Sequence, residues 1–336
     1  MATYVRQQEI SHSIGATGRL EMRVTDGDVR LRGVAGELAR LRVTYEISAS
    51  SEEEADQAFE VARLDVEQGN DWLEIRDRQD RDRLGKVIRR LISGKGGIQI
   101  SIEGEAPAGC QLRLETVSGD LVVEGMRGEQ RYTTVSGDLY ATELDGTVRL
   151  TTVSGDATLR GDTLALWCET VSGDLSAMAP LLIEVRLSSV SGDLELEGAL
   201  ARDGSFRAET VSGDLAVGLL GSASFEVRGI SSDVRAEMDH RLEGRMDRRR
   251  VVIGDGTPTF VFSSMSGDVL IRRPRRLEQA AVPQVVAPQP RALPGTPQGG
   301  SDARDAASLE VLRALERGEI DVDEAARRIA RGPSDA

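Results

Sequence analysis

The residues of this chain with chemical potential form a column rather than a cluster. Asp120, Asp138, Asp156, Asp174, Asp193 and Asp214 recur at spacings of 18, 18, 18, 19 and 21. Each follows a serine by two positions: Ser118, Ser136, Ser154, Ser172, Ser191 and Ser212. Carboxylates stacked about 5 Å apart repel by about 1 kcal/mol per neighbour at the dielectric of water, so something must offset them. One offset is local, with each aspartate accepting hydrogen bonds from turn amides and neighbouring serine hydroxyls. The other is a row of calcium-type cations bound to the six carboxylates. The calcium-binding rolls use a glycine-rich nonapeptide that this sequence lacks, which favours the local offset.

Acid–base catalysis needs one place that differs from the rest. Here the acids are spread evenly, the lysines are Lys86 and Lys95, and the histidines are His12 and His240, none of them within the regular repeats. A polysaccharide-active solenoid enzyme is therefore the weaker alternative, and no catalytic residue, cofactor or metal ligand is assigned. Cys110 lies eight residues before the serine of its repeat and Cys168 four before its own, three repeats later. Three rungs of about 4.8 Å exceed the reach of a disulfide. Cys168 reads as a small core residue and Cys110 as a turn residue.

These side chains must be positioned by the phrase that carries them, Thr116-Val117-Ser118-Gly119-Asp120-Leu121, which returns seven more times before residue 270. Its glycine slot falls at Gly119, Gly137, Gly155, Gly173, Gly192, Gly213, Ser232 and Gly267. A near-constant 18 suits one rung of a β-solenoid, whose coils bury apolar side chains only against the coils on either side. The final gap of 35 reads as one degenerate coil with an insertion. Apolar residues alternate before the phrase, as at Leu112 and Leu114, and after it, as at Leu121 and Val123. Period two on both sides predicts two half-buried strands per coil. Thr116 continues the inward set of the first strand and Val117 begins that of the second, with a register slip between them. Ser118 and Asp120 then face out, and Gly119 faces in where a side chain would crowd the bend. The expected fold is an all-β solenoid of about 18-residue coils with small helical insertions and a C-terminal helical hairpin.

Outside the ladder the chain divides further. Residues 1–105 read as irregular N-terminal coils and a cap, opening with a coil around Val24-Thr25-Asp26-Gly27-Asp28-Val29. Ser51 with Glu54 predicts a capped helix over about 52–62. Strands around Leu64–Val66 and Trp72–Ile75 flank the Gly69-Asn70-Asp71 turn. Residues 81–92 set Leu84, Val87, Ile88, Leu91 and Ile92 against five basic residues, the pattern of a helix that packs on the solenoid or docks on an anionic membrane surface. The regular solenoid spans 106–276 and closes on Arg272-Arg273-Pro274-Arg275-Arg276, read as a solvated end. Residues 277–303 are a Pro-rich disordered linker. In 304–336, Leu309, Val311, Leu312 and Leu315 form one stripe and Ile320 and Ile329 extend the apolar set across a second helix. Two such short helices bury too little to stand alone, so this tail implies a partner surface.

A net charge of −14 argues against nucleic acid as a partner. No run of about 20 apolar residues is present to span a bilayer. The first fourteen residues lack a secretory pattern, so the expected location is cytoplasmic, with membrane association through 81–92 as a variant.

The TVSGDL repeats, the Glu105-Ala106-Pro107-Ala108-Gly109 lead-in, Gly254-Asp255-Gly256 and the closing Ser264-Met265-Ser266-Gly267-Asp268-Val269 resemble the bacterial putative-adhesin family of β-strand-repeat proteins, a domain of unknown function, over roughly residues 10–273. The tail from Leu309 to Ile320 is similar to a short helical segment on relatives linked to cell-envelope stress. The resemblance implies a non-enzymatic, adhesin-like scaffold or binding protein whose tethered tail recruits a protein partner. The competing non-enzymatic expectation is self-assembly, a homo-oligomer formed by solenoid ends or edges that stack into filaments.

Overall fold

The computed structural model describes residues 2–78, 97–229, 232–245 and 248–275. The segment 81–92, the linker 277–303 and the tail, with Leu309, Leu312, Leu315, Ile320 and Ile329, lie outside the described residues. One compact unit runs from Met1 to Pro274, and Arg275–Ala336 is a separate one.

Alternating residues make strands here because one face of each strand can be buried against the next coil. Among the described residues, 22 strands join in one continuous hydrogen-bonded sheet wound in a solenoid-like manner, with a single helix, Glu52–Ala62. The strands after the turns stack in parallel, Leu139 pairing with Leu121 on one side and Ala157 on the other. Those before the turns do the same, Tyr132 lying between Leu114 and Leu150. Strand Leu139–Thr151 contributes to both rows, and its register shifts between Ala141 and Gly146 mark the rear bend. Glu143 at φ 54° and Gly146 at φ 103° make that bend. The core is filled by columns such as Leu121, Leu139, Ala157, Leu175, Leu194, Leu215 and Val269, none more than 3% exposed. Each large aliphatic in such a column gains about 1.5–3 kcal/mol from burial. In the row of strands before the turns the core becomes aromatic near the C-terminal end, Phe260 stacking between Phe206 and Phe225 at centroid distances of 6.3 and 5.7 Å.

The order of coils in space departs from the order in sequence at both ends. The coil containing Gly27 is not outermost. Arg19–Val24 lies between Trp72–Arg76 and Gln111–Thr116, and Asp28–Val34 lies between Ile98–Pro107 and Leu121–Glu124. At the other end, Thr259–Ser264 sits between Phe206–Thr210 and Ala223–Gly229, and Val269–Arg272 between Leu215–Leu220 and Val234–Ala236. The gap of 35 is therefore not a degenerate coil placed in sequence. The chain first lays down the outermost coil, turns through the antiparallel strands Arg241–Arg245 and Arg248–Ile253, and returns to thread its last coil inside. Strand Ala223–Gly229 makes this arrangement work by offering one edge to the returning parallel strand and the other to the antiparallel strand Arg248–Ile253.

Antiparallel strands also finish the N-terminal end, where Leu38–Ala49 bridges Ala2–Ser13 and Ile98–Pro107, and Asp65–Gln68 covers Trp72–Arg76. The helix is started by Ser51, whose hydroxyl accepts the Glu54 amide at 3.2 Å, while the Glu54 carboxylate accepts the Ser50 amide at 2.8 Å. It buries Ala55 and Ala58 and sets Phe59 edge-on to Tyr45 at 5.0 Å. The Tyr45 hydroxyl donates to Gln8 Oε1 at 2.8 Å and accepts the Leu64 amide at 2.9 Å, and Gln8 Nε2 returns to the Leu64 carbonyl. Burial pushes the Tyr45 phenol up to about 12.

The turn itself corrects the sequence reading at valine. Thr134 Oγ1 accepts the Gly137 amide at 3.0 Å, and Thr152, Thr170, Ser189 and Ser264 repeat this bond to Gly155, Gly173, Gly192 and Gly267. Thr116 and Thr210 lack this bridge, yet there too the alternation resumes after the glycine: Val117 is half-buried and Leu121 buried, so the second inward set begins at Leu121 rather than at Val117. The valines stand on the corner's flank, buried in the middle coils at Val135, Val153 and Val171 but 44% exposed at Val211.

The glycine slot is set by contact between coils. A Cβ on Gly155 would lie 2.0 Å from the Gly137 carbonyl oxygen, and Gly119, Gly137, Gly173, Gly192, Gly213 and Gly267 meet the preceding coil at 1.9–2.1 Å. Ser232 is the one departure from glycine in this slot. Gly155→Ala is expected to destabilise the body by more than about 3 kcal/mol. Gly97→Ala, where a Cβ meets nothing within 4 Å, should change stability by less than about 0.5 kcal/mol. Urea unfolding followed by circular dichroism measures both.

Candidate functional site

Each predicted ladder residue is placed on one corner of the winding. The serines at 118, 136, 154, 172, 191 and 212 are exposed, as are the aspartates except the half-exposed Asp138. The carboxylates are offset by the backbone. The Asp138 amide donates to Asp120 Oδ1 at 3.1 Å, Asp156 to Asp138, Asp174 to Asp156 and Asp193 to Asp174 at 2.9 Å, and Asp214 to Asp193 at 3.0 Å. The column extends past the six repeats read from the sequence. Asp120 donates to Asp28 at one end; at the other, Asp268 donates to Asp214 and Asp233 to Asp268. Asp233 has no further coil to receive, and its Oδ1 takes Arg249 Nη1 at 2.8 Å instead.

The serines do not assist the aspartates as expected. Ser136, Ser154, Ser172, Ser191 and Ser212 donate their hydroxyls to the valine carbonyls of the preceding coil, Val117, Val135, Val153, Val171 and Val190. The backbone amides of the same serines reach the same carbonyls, so each valine oxygen accepts twice. Only Ser118 bonds a carboxylate, Asp26 at 3.3 Å.

Beside the aspartates runs a groove of about 900 Å³. Its wall is Asp156, Asp174, Asp193, Asp214, Asp268 and Asp233, and Tyr140, Thr158, Ser176, Glu195, Leu270 and Arg235 line it on the adjoining strands. The lining residues other than the aspartates were not singled out from the sequence, although each lies two positions after an aspartate of the ladder. Among the described residues no group of three His, Cys, Asp or Glu side chains could hold a metal ion.

Two further sequence readings change. Cys110 is not merely a turn residue: both it and Cys168 are free and buried in the core. Burial pushes each thiol up to about 12. Arg272 is not a solvated end; it is 7% exposed and pairs with Glu197 at 2.7 Å and with Glu195.

Residues 92–203 match the Toastrack DUF4097 family. The Toastrack fold is β-solenoid-like, and the matched stretch carries the first five repeats of the carboxylate column. No curated protein matches the chain. Solved structures similar to it include a putative lipid binding protein from Parabacteroides distasonis, 14% identical, with a TM-score of 0.42, covering 80% of this chain and 97% of the other. A putative adhesin from Bacteroides fragilis, also 14% identical with a TM-score of 0.41, covers the same shares. A putative adhesin from Parabacteroides merdae is 9% identical with a TM-score of 0.32, again covering 80% and 97%.

The ladder makes a paired prediction. Asp174→Asn keeps an oxygen for the Asp193 amide and removes one charge from the row, so its stability should equal or exceed that of the natural chain. Asp174→Ala orphans that amide and should cost about 1 kcal/mol. Thermal melts at low and high salt distinguish them, since added salt screens the row and narrows the advantage of Asp174→Asn. For the thiols, iodoacetamide at pH 8 should leave Cys110 and Cys168 unlabelled in the folded chain and label both in denaturant, read by intact mass.

Proposed function

We propose that this chain is a non-catalytic binding scaffold of adhesin-like type, in which the wound body displays an extended face and the tethered tail recruits a protein partner. The observation that carries this reading is the ladder and its groove: Asp156, Asp174, Asp193, Asp214 and Asp268 each hold the amide of a neighbouring coil and also line a groove of about 900 Å³. Catalysis would need one rung to differ in its acids and bases. The groove instead spreads its aspartates along successive rungs, which suits an extended ligand held by many weak contacts.

The tail residues Leu309, Leu312, Leu315, Ile320 and Ile329 supply the second half of the proposal. An amphipathic helical pair on a long Pro-rich linker is built to find a groove on another protein. The resemblance of this tail to segments on envelope-stress relatives supports a partner within that response. Among the described residues no helix is long and apolar enough to cross a membrane.

A cross-linking pull-down with three baits tests the proposal: the intact chain, a chain ending at Arg276, and an intact chain with Asp174→Asn, Asp193→Asn and Asp214→Asn. Proteins lost only with the tail identify the recruited partner, and material lost only with the three asparagines identifies the ligand of the groove. If all three baits recover the same set, the scaffold reading is wrong.

A further inference from the structure

The wound sheet ends, among the described residues, in four strands that pair on one side only. Three are short: Asp65–Gln68 with 4 residues, Arg241–Arg245 with 5 and Val234–Ala236 with 3. The fourth, Ala2–Ser13, has 12 residues and pairs along its whole length with Leu38–Ala49, from Ala2 opposite Ala49 to Ser13 opposite Leu38. Long free edges are usually blunted by proline, by lysine and other charged side chains, or by a bulge. This one has no proline or lysine and no register shift, and its charges are limited to Arg6, which pairs with Asp56, and Glu9.

The strand is also held rigid from within. Arg6 pairs with Asp56 of the helix, Gln8 bonds the Leu64 carbonyl, and His12 Nε2 lies 2.5 Å from the Gly69 carbonyl. A partner would therefore meet an edge already ordered, which lowers the cost of association. The alternate side chains Thr3, Val5, Gln7, Glu9 and Ser11 are exposed, Val5 at 52%.

We infer that Ala2–Ser13 is a dimer interface, on which a second copy of the same strand pairs antiparallel about a two-fold axis at Gln7. Among the registers centred on residues 6 to 9, the charges favour this one. With Gln7 opposite Gln7, Val5 faces Glu9 and Thr3 faces Ser11 on the outer side, while Tyr4 faces Ile10 and Arg6 faces Gln8 on the inner. No like charges oppose, and the Tyr4–Ile10 contact forms twice. Moving the axis to Arg6 or to Glu9 sets two like charges against each other, which disfavours the pairing. Placing it at Gln8 sets Arg6 against Ile10 twice. An axis between residues would put an inner face against an outer one. Such an isologous contact closes on itself and uses up the one long edge, so the product is a dimer and not a filament.

Sedimentation of the full chain across a concentration series tests this, with a single monomer–dimer equilibrium of the 36.2 kDa chain as the expected result. Gln7→Glu and Gln7→Lys, exposed substitutions facing Thr44 within the monomer, should each raise the dimer Kd roughly five-fold while leaving thermal melting unchanged. Mixing the two variants should restore the natural affinity or better, because each then meets its opposite charge. A chain that stays monomeric, one that grows beyond the dimer, or a dimer indifferent to both substitutions overturns the inference.

Discussion

The winding rests on one close approach. At each turn a glycine carbonyl stands where the next coil's glycine would carry its side chain, at 1.9–2.1 Å from an ideal Cβ. Contact this tight fixes the separation of neighbouring coils at the corner. Three further bonds accompany it: the amide-to-carboxylate bond of the aspartates, the double donation of the serines from Ser136 to Ser212 to valine carbonyls, and the hydroxyl bridge inside most of the turns. None of them reaches beyond an adjacent coil. The body is accordingly a sum of local fits, as expected of a stacked repeat whose units bury nothing alone.

A structure held together by neighbours has to solve its ends. Here the parallel stacking gives way to antiparallel strands at both extremities, and the helix Glu52–Ala62 closes over Tyr45 and the strand that carries it. The same device explains why the last aspartate of the column binds Arg249: where no amide follows, a side chain from the antiparallel cap takes its place. Arg272, on the threaded inner strand, is buried against Glu195 and Glu197 rather than left to solvent.

Much of this was legible in the sequence, because period two and a recurring Gly-Asp state which side chains turn inward. The alternation in Leu112, Leu114, Leu121 and Val123 is the burial observed, and Ser51 with Glu54 marks the start of the one described helix. What could not be read is what depends on which coil touches which. The spacing between Gly213 and Gly267 is compatible with any order of three coils, and only pairing reveals that Thr259–Arg272 was threaded inward. The fate of the serines was hidden for a related reason. Their hydroxyls had two acceptors within reach of the same corner, a carboxylate and a carbonyl, and residue type alone does not choose between them. Tyr140 and Arg235 lie two positions after a ladder aspartate, but that place alone does not tell the wall of a groove from open solvent.

The threaded last coil has a mechanical side. Val269–Arg272 is hydrogen-bonded to a strand on each flank, Leu215–Leu220 and Val234–Ala236, and the chain leaves the body directly after it. A pull on Arg272 therefore does not peel an outer strand bond by bond. It loads an inner one, which can yield only by sliding against both flanks at once, so this strand is among the places on the body best able to bear a pull.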